Sequence, residues 1–436
     1  MNRPAPLYPG PMVRAVALLA LVAGCNQVLG LDPVATRDGG TPGDGALAHV
    51  DEVVAGGRHT CARVGTGVWC WGRAKEGQLG HGDTVGIGDD EAPATAGRLD
   101  LGGAVAALAA GGDHTCALRE DGSVVCWGDN VDGDLGYGTT SPLGDDEAPS
   151  SAGPVALAST AKLIVAGAAH TCAVESQGEA VRCWGRGADG RLGLGAVNNV
   201  GDTELPTAAL TVAGLGLSRQ LAAGGAHTCA IDSGGAVRCW GRNDHGQLGL
   251  GNTVPIGDDE SPGTAVPLAM PATQVVTGDA HTCALLSDQT VRCWGAGADG
   301  RLGYGSTADV GDDGSLAVQG AVDVGGAVRQ LAAGAVHTCA LLTTGAVRCW
   351  GAAARGQLGY ANVQAIGDGE PPRAAGDVPL PGSAIAITAG GDHTCALLAD
   401  ATVRCWGANE SGQLGTGDTE DRGDDEPLAA LPPVGL

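Results

Sequence analysis

Residues 335 to 359 have the sequence A-V-H-T-C-A-L-L-T-T-G-A-V-R-C-W-G-A-A-A-R-G-Q-L-G, and versions of this stretch occur seven times in the chain. Two apolar and β-branched runs flank a Thr-Gly turn, which is typical of a β-hairpin. In such a hairpin Cys339 and Cys349 lie opposite each other. Opposed strand residues have Cα atoms roughly 4.5 to 5.5 Å apart, which suits a disulfide. The stretch therefore predicts a hairpin closed by a disulfide.

The same pairing can be drawn in every copy. It uses fourteen of the fifteen cysteines: Cys61 with Cys70, Cys116 with Cys126, Cys172 with Cys183, Cys229 with Cys239, Cys283 with Cys293, Cys339 with Cys349, and Cys395 with Cys405. The alternative is a zinc site made by the His and the two Cys of each copy. That set lacks a fourth ligand and the C-x-x-C spacing common in structural zinc sites, so disulfides are the preferred interpretation.

The copies recur with a period of 54 to 57 residues, which indicates one repeat array rather than several domains. The H-T-C motif begins at His59, His114, His170, His227, His281, His337 and His393. Each period divides into four short strands, which in the second copy are residues 98–101, 105–109, 115–119 and 124–127. We therefore predict an all-β fold, a seven-bladed β-propeller of four-stranded antiparallel blades, with a solenoid as the competing architecture. The C-terminal segment, residues 427–436, is predicted to close the ring by completing the first blade.

The first 24 residues have the pattern of a bacterial lipoprotein signal peptide. Arg3 and Arg14 precede an apolar run that ends in L-V-A-G-C, and Cys25 would become the lipidated first residue. An ordinary secretory peptide is the alternative. Residues 25–48 have the composition of a flexible tether, and residues 49–436 would form the propeller. The predicted location is the bacterial cell envelope, at the outer membrane or cell surface, with membrane contact only through the lipid.

The charge balance restricts the classes of partner. The chain has 24 Lys and Arg against 49 Asp and Glu, which argues against binding to nucleic acid or to an anionic lipid surface through bulk charge. Catalysis needs one unique constellation of groups, whereas this chain offers seven equivalent ones, so we predict no enzymatic activity. The expected partner is a protein or another extracellular ligand, and the expected state is a monomer without a cofactor, calcium being kept open.

Several motifs resemble a known family. V-W-C-W-G-R-A-K-E-G-Q-L-G-H-G at residues 68 to 82, with H-T-C-A-L and G-Q-L-G in other copies, is similar to the repeats of the regulator of chromosome condensation family. The resemblance covers roughly residues 50 to 436 and implies a seven-bladed propeller. It also implies guanine-nucleotide exchange on a small nuclear GTPase. The paired cysteines and the export signal depart from the nuclear members, so this activity ranks third among the expected functions.

The first expected function is a lipid-anchored binding module that presents a rigid propeller face. The second is a structural or calcium-dependent envelope protein without a specific partner. The motif G-D-D-E, or a close variant, recurs in each copy, where it can cap turns, bind calcium or attract a basic protein. The candidate calcium ligands are Asp89, Asp90, Glu91, Asp145, Asp146, Glu147, Asp258, Asp259, Glu260, Asp424, Asp425 and Glu426.

Two further sets of residues bear on binding. The seven tryptophans of C-W-G and the seven histidines of H-T-C are predicted to be buried between blades, although a ligand-stacking ring of tryptophans is an alternative. The four residues after C-W-G differ between copies, as does the residue after L-G. Differences of this kind make one rim of the ring asymmetric, or reflect drift at exposed turns. The candidate rim residues are Tyr137, Tyr304 and Tyr360.

Overall fold

A computed structural model describes residues 49–314 and 316–436 of the chain. This part is all-β and contains seven sheets of three antiparallel strands, one sheet in each repeat. Within a sheet the strands follow chain order, so each neighbouring pair is a simple hairpin. The predicted signal peptide, the tether and Cys25 lie outside the described residues and stay predictions.

The strands of the seven sheets are all five or six residues long. They are β1 (Val50–Ala55), β2 (His59–Val64) and β3 (Gly67–Gly72); β4 (Val105–Ala110), β5 (His114–Arg119) and β6 (Val124–Gly128); β7 (Ala161–Ala166), β8 (His170–Glu175) and β9 (Val181–Gly185); β10 (Ser218–Ala223), β11 (His227–Asp232) and β12 (Val237–Gly241); β13 (Ala272–Thr277), β14 (His281–Leu286) and β15 (Val291–Gly295); β16 (Val328–Ala333), β17 (His337–Leu342) and β18 (Val347–Gly351); β19 (Ala384–Ala389), β20 (His393–Leu398) and β21 (Val403–Gly407).

Short 3-10 helices interrupt the connections between sheets. In the described residues they are Pro93–Ala96, Pro149–Ala152, Ala188–Gly190, Pro206–Ala208, Ala298–Gly300, Leu316–Val318, Pro372–Ala374 and Leu428–Ala430. Four of the eight begin with a proline, whose fixed φ suits the first position of a helix. No helix among the described residues has the length and apolar character needed to cross a bilayer.

Each sheet has three strands, not the predicted four. The last three predicted strands of the second copy correspond to β4, β5 and β6, but residues 98–101 form no strand. Instead the Leu99 N–H donates to the Val68 carbonyl of β3 at 2.9 Å. The segment thus runs beside the preceding sheet with one backbone hydrogen bond where a strand ladder would need several. A valine makes the equivalent hydrogen bond in each of the other six repeats, for example Val378 to Val347.

The hairpins have the predicted register. Cys339 in β17 lies opposite Cys349 in β18, and the two are joined by a disulfide with Cα atoms 4.0 Å apart. The other six pairs named above are joined in the same way. All fourteen cysteines are buried, so each disulfide links the second and third strands inside the core.

The tryptophans contribute to the contact between neighbouring sheets. All seven tryptophans of C-W-G are fully buried, which confirms their prediction as core residues. The glycine of L-G in one repeat lies against the tryptophan of the next repeat: a Cβ built on Gly80, which has a φ of +75°, would be 2.8 Å from Trp127 Nε1. Glycine is required here because it tolerates positive φ and leaves room for the indole.

The first and last sheets are also in contact. The Gly391 N–H donates to the Gly56 carbonyl at 3.1 Å, and similar hydrogen bonds join the other neighbouring sheets. The C-terminal segment does not complete the first sheet. Val434 instead donates to the Val403 carbonyl of β21, and the carbonyl of Gly435 accepts from Ala94 of the first repeat. The prediction that this segment completes the first blade is therefore wrong, because it lies beside the last sheet. A closed ring requires contacts of this kind between the first and last sheets, and closure of the ring remains a prediction.

Candidate functional site

One hydrogen-bonded chain of groups is repeated between neighbouring sheets. His59 Nε2 lies 2.8 Å from Thr115 Oγ1 of the next repeat. The Thr115 hydroxyl donates to the carbonyl of Gln78, at 3.1 Å, and Trp127 Nε1 donates to the same carbonyl, at 3.0 Å. The last and first repeats are joined in the same way, since His393 Nε2 lies 2.9 Å from Thr60 Oγ1. The prediction that the histidines are buried hydrogen-bonding residues between blades is therefore confirmed.

This arrangement fixes the protonation state of the histidines. The single hydroxyl proton of each threonine is used toward a carbonyl, so the threonine oxygen accepts from His Nε2–H and Nε2 carries a proton. Nδ1 has no hydrogen-bond partner in six of the seven histidines. It faces the preceding glycine: a Cβ on Gly56 would be 2.6 Å from His59 Nδ1. Burial lowers the pKa of His59 to about 4 and that of His337 to about 3, because neither solvent nor an acceptor stabilises a second proton.

The first strands of all seven sheets end at a common small cavity. Its volume is about 90 Å³, and every lining residue except Thr277 and Asp279 is glycine or alanine. In the first repeat the lining residues are Ala55, Gly56 and Gly57. The cavity has room for a few water molecules, not for a cofactor or a drug-sized ligand. We call it the seven-sheet cavity.

A larger, charged cavity adjoins it and shares Gly57, Gly112, Asp279, Ala335 and Gly391 with its lining. Its volume is about 260 Å³, and we call it the mouth cavity. The charged residues that line it are Arg58, Arg73, Asp113, Asp279, Arg355, Asp392 and Glu410. These come from the residues just before H-T-C and from the loops after C-W-G. The opening is thus built from positions at which the seven copies differ.

Most of the charges at the mouth cavity are paired. Arg58 lies 2.8 Å from Glu410, which also contacts Arg355 at 3.2 Å. Arg73 lies 3.2 Å from Asp113. Each of these three ion pairs joins residues of different repeats. Within the described residues, the backbone N–H of Asp279 donates to the Ala335 carbonyl at 3.1 Å, but its carboxylate makes no hydrogen bond or ion pair. Desolvation raises the pKa of this carboxyl. The pairs are partly exposed, so a binding partner can exchange them at small cost in stability.

The acidic motifs lie elsewhere. In four repeats the three candidate calcium ligands bring carboxylate oxygens within 4.8 Å of one another. In two of these repeats the glutamate also caps its own turn: Gly88 N–H donates to Glu91 Oε1 at 3.1 Å and Gly423 N–H to Glu426 Oε1 at 3.0 Å. Desolvation and the neighbouring Asp90 raise the pKa of Glu91. The turn-cap interpretation thus has direct geometric support, and calcium binding stays a prediction.

The three candidate rim tyrosines are held by the backbone. The Tyr360 hydroxyl accepts from the Cys349 N–H at 3.2 Å and donates to the Gly376 carbonyl at 3.1 Å. Tyr137 and Tyr304 make the equivalent contact with the backbone N–H of Cys126 and Cys293. Burial raises the pKa of all three hydroxyls to about 12. This geometry favours a packing role, and a part in binding stays a prediction for these residues.

The sequence pattern identified part of the mouth cavity and missed the rest. Arg73, Arg355 and Glu410 belong to the variable residues after C-W-G that were expected at a rim. Arg58, Asp113 and Asp392 were missed. Their signal was the position immediately before H-T-C, where the other four copies have alanine or valine. Charges at one position of an otherwise apolar set indicate a solvent-facing site.

Comparison with known proteins agrees with this architecture. The chain matches the RCC1-like domain over residues 180–433 and the regulator of chromosome condensation (RCC1) repeat over residues 50–78, 105–134 and 161–191. The ultraviolet-B receptor UVR8 of Arabidopsis thaliana is 30% identical over 385 residues, which cover 87% of this chain and 81% of the receptor. The mitochondrial RCC1 domain-containing protein RUG3 of the same plant is 28% identical over 370 residues, 80% and 79% of the two chains.

A solved structure has the same fold. Prp20p of Saccharomyces cerevisiae, described with its binding to Gsp1p and histones, superposes with a TM-score of 0.67 at 21% identity over 85% of this chain and 86% of its own. Neither UVR8 nor RUG3 is named as an enzyme. The extent of these matches, together with the seven hairpin repeats, identifies the chain as a member of the RCC1-like domain family, built from regulator of chromosome condensation repeats.

Proposed function

We propose that this protein is a protein-binding module of the bacterial cell envelope, held there by a lipid on Cys25. Its binding surface is the mouth face, which we define as the mouth cavity and the loops after C-W-G that surround it. The observation that carries the proposal is a division within each repeat. The His, Thr and Trp between the sheets are the same in all copies, whereas the exposed residues of the mouth face differ from copy to copy.

Such a division suits recognition. Identical buried contacts make a rigid frame, and a rigid frame loses little conformational entropy on binding. Charged groups that differ around the frame give a surface with one preferred orientation for a partner. Binding of Gsp1p and histones by Prp20p shows that a relative of this fold binds proteins. We extend protein binding, not those partners, to this chain.

We further propose that the seven sheets form a closed ring. The contacts between the first and last sheets support it, because His393 and Thr60 reproduce the His–Thr hydrogen bond found between all other neighbours. A closed ring leaves few free sheet edges and keeps the mouth face in one shape.

The mouth face can be tested by capture of envelope proteins. The double substitution Arg58→Ala with Glu410→Ala removes an ion pair whose side chains are 55% and 42% exposed, so it should cost under about 1 kcal/mol of stability. We expect capture of the partner to fall at least about tenfold, a loss of roughly 1.4 kcal/mol of binding free energy. The measurement is a quantitative pull-down from envelope extract with the full chain as bait.

The matched control is Arg373→Ala with Asp323→Ala. The side chains of this ion pair are 63% and 46% exposed, and the pair lies away from the mouth cavity. The control therefore removes the same two charges as Arg58→Ala with Glu410→Ala, but outside the mouth face. Capture should survive in the control. Equal capture by both double variants would show that the partner does not use the mouth face.

The anchor is tested separately by Cys25→Ser. We expect the wild-type chain in the membrane fraction with an acylated mature N-terminus at Cys25, and the variant unacylated and either released or unprocessed. Fractionation and mass spectrometry of the N-terminal peptide measure both. An unmodified wild-type N-terminus, or one at another residue, would remove the anchor from the proposal and leave the binding module in place.

A further inference from the structure

One position in the repeat departs from the rule that the other copies follow. The residue before the leucine of L-G is Gln78, Asp134, Arg191, Gln247, Arg301, Gln357 and Gln413 in the seven copies. The glutamines and arginines make side-chain hydrogen bonds. Gln78, for instance, accepts from the Glu76 N–H and donates to Asp113 Oδ1, both at 2.9 Å. Asp134 is the exception.

The Asp134 side chain is buried without full compensation. The residue is 2% exposed, and its Oδ1 has no hydrogen-bond partner. Where Gln78 meets Asp113, the residue equivalent to Asp113 in the next repeat is Ala169, which offers no polar side chain. A buried carboxylate oxygen without a donor is costly and uncommon in folded proteins. Glutamine, which four other copies contain, would remove the buried ionisable group, so the carboxyl of Asp134 calls for a role other than stability.

More carboxylates surround this group. Asp129 and Asp132 lie on the same loop, and both raise the pKa of Asp134, although burial contributes most and brings it to about 8. Glu76 and Asp113 add negative charge beside Asp129. The cation that lowers the pKa of Asp134 is Arg191, whose guanidinium already donates to the carbonyls of Ala188 and Gly225 and to Asp189. The loop is therefore short of positive charge.

The tip of the same loop is apolar. Val131 stands between Asp129 and Asp132 and is 65% exposed. A cation on an alkyl stem can cover such a residue while its charged end reaches the carboxylates. A calcium ion fits less well, because its ligand oxygens must converge around one point. The groups of described residues that converge in this way are the four acidic motifs, and residues 129–134 are not among them.

We propose that loop 129–134, at the edge of the mouth face, receives a lysine or arginine side chain of the partner protein. This inference rests on the proposed function and names the chemistry that the partner brings. The cationic end lies among Asp129, Asp132 and Asp134, and its alkyl stem lies on Val131. Oδ1 of ionised Asp134 gains the donor that it lacks in the free protein.

The test compares Asp134→Gln with the wild-type full chain. Calorimetry with a capped Gly-Lys-Gly peptide as the probe should show an affinity at least about tenfold lower for the variant, while the melting temperature of the variant rises because the unsatisfied carboxylate is gone. Asp313→Asn removes one exposed charge in another repeat and should leave both values unchanged. A peptide with norleucine in place of lysine should not bind, and the arginine peptide should bind like the lysine peptide.

A second readout follows the proton. Asp129, Asp132 and Arg191, with the backbone N–H of Arg186, are the groups that act on Asp134. Binding of the lysine probe at pH 7 should release a proton from Asp134, so the measured enthalpy should depend on the ionisation enthalpy of the buffer. The dependence should vanish in Asp134→Gln.

Three results would overturn the inference: equal affinity of the probe for wild type and Asp134→Gln, a lower melting temperature for that variant, or binding of calcium chloride at this loop in place of the peptide. Failure here is distinct from failure of the proposed function. If Asp134→Gln captures the envelope partner normally while Arg58→Ala with Glu410→Ala does not, the mouth face still binds a protein but without a cation at Asp134.

Discussion

Acidification from pH 7 to pH 4.5 is expected to unfold the propeller cooperatively. The cause is the set of seven buried histidines, each of which is neutral in the folded protein and donates from Nε2 to a threonine. Burial lowers their pKa to about 4 for His59 and to about 3 for His114, His227, His337 and His393, and it lowers the pKa of His170 and His281 in the same direction. In an unfolded chain their pKa is about 6.5.

The direction of the effect follows from proton binding. Below pH 6.5 the histidines of the unfolded chain bind protons, whereas those of the folded protein do not. Their contribution to the free energy of unfolding is therefore fully present above pH 6.5 and is lost as the pH falls. Each histidine contributes up to about 1.4 kcal/mol per pH unit, and seven give roughly 9 to 10. Carboxyl groups with a raised pKa oppose this trend, and the largest shifts are those of two buried acids. Burial raises the pKa of Glu52 to about 7 and that of Asp134 to about 8, so their contribution to stability is lost as the pH rises. Maximum stability is therefore expected between about pH 6.5 and 7.

A series of urea or thermal melts between pH 7 and 4.5 measures this slope. His337→Gln retains a donor toward Thr394 and removes one titrating group, so its slope should be smaller by about 1.4 kcal/mol per pH unit. His245→Gln is the matched control, because that side chain is 44% exposed and contacts Asp309 in a loop instead of a buried threonine between two sheets. An unchanged slope in His337→Gln would contradict the assignment of acid sensitivity to the histidines.

Removal of the disulfides is expected to have the second large effect. Each bridge closes a loop with a sequence separation of 9 to 11 residues. In the chain-entropy model a loop of this size stabilises by roughly 2 to 3 kcal/mol. At about 2.1 cal/mol/K of unfolding entropy per residue, the double substitution Cys339→Ala with Cys349→Ala should lower the melting temperature by roughly 3 °C. Loss of all seven bridges should leave the chain unfolded at 37 °C.

Variants are a better probe than a reductant, because the cysteines are buried and reduction requires prior opening of the sheet. The double alanine variant is compared with Cys283→Ala plus Cys293→Ala, which removes an equally long loop in another repeat and should cost the same. Non-reducing peptide mapping of the wild type should give only bridges within repeats. Bridges between repeats, or free thiols with stoichiometric zinc, would contradict this account.

The sequence predicted the hairpins because their information is local. Two runs around a turn determine which residues face each other, and Cys339 therefore lies opposite Cys349 as expected. The outermost segment was harder. Residues 98–101 have strand composition, but whether they form a ladder depends on the neighbouring third strand. The chain order also led to the wrong neighbour for the C-terminal segment, which runs beside the last sheet and is hydrogen-bonded to the first repeat through Gly435.

The site was predictable only in part for a related reason. Variation after C-W-G indicated a rim, but the residues that line the mouth cavity come from repeats far apart in sequence. Asp279 and Arg58, for example, approach the same cavity from the fifth and first repeats. The pattern suggested Tyr137, Tyr304 and Tyr360 as binding residues because they are aromatic residues at a variable position. In the structure the hydroxyl of each accepts a hydrogen bond from the backbone of its own hairpin. The sequence could not show that Asp134 Oδ1 lacks a hydrogen-bond partner. That observation depends on the positions of the side chains around Asp134 and around the equivalent residues of the other copies.

The shared hydrogen bonds between neighbouring sheets have a consequence for how such a protein can change. Histidine, threonine, a backbone carbonyl and tryptophan make every boundary with the same atoms. Any repeat can then follow any other without loss of these contacts. Duplication and exchange of whole repeats would reorder the charges of the mouth face while the frame beneath stays the same. Proteins with this fold can thus acquire new partners through the exchange of whole repeats. In a protein with a conventional core, sequence changes of that size would disrupt the packing.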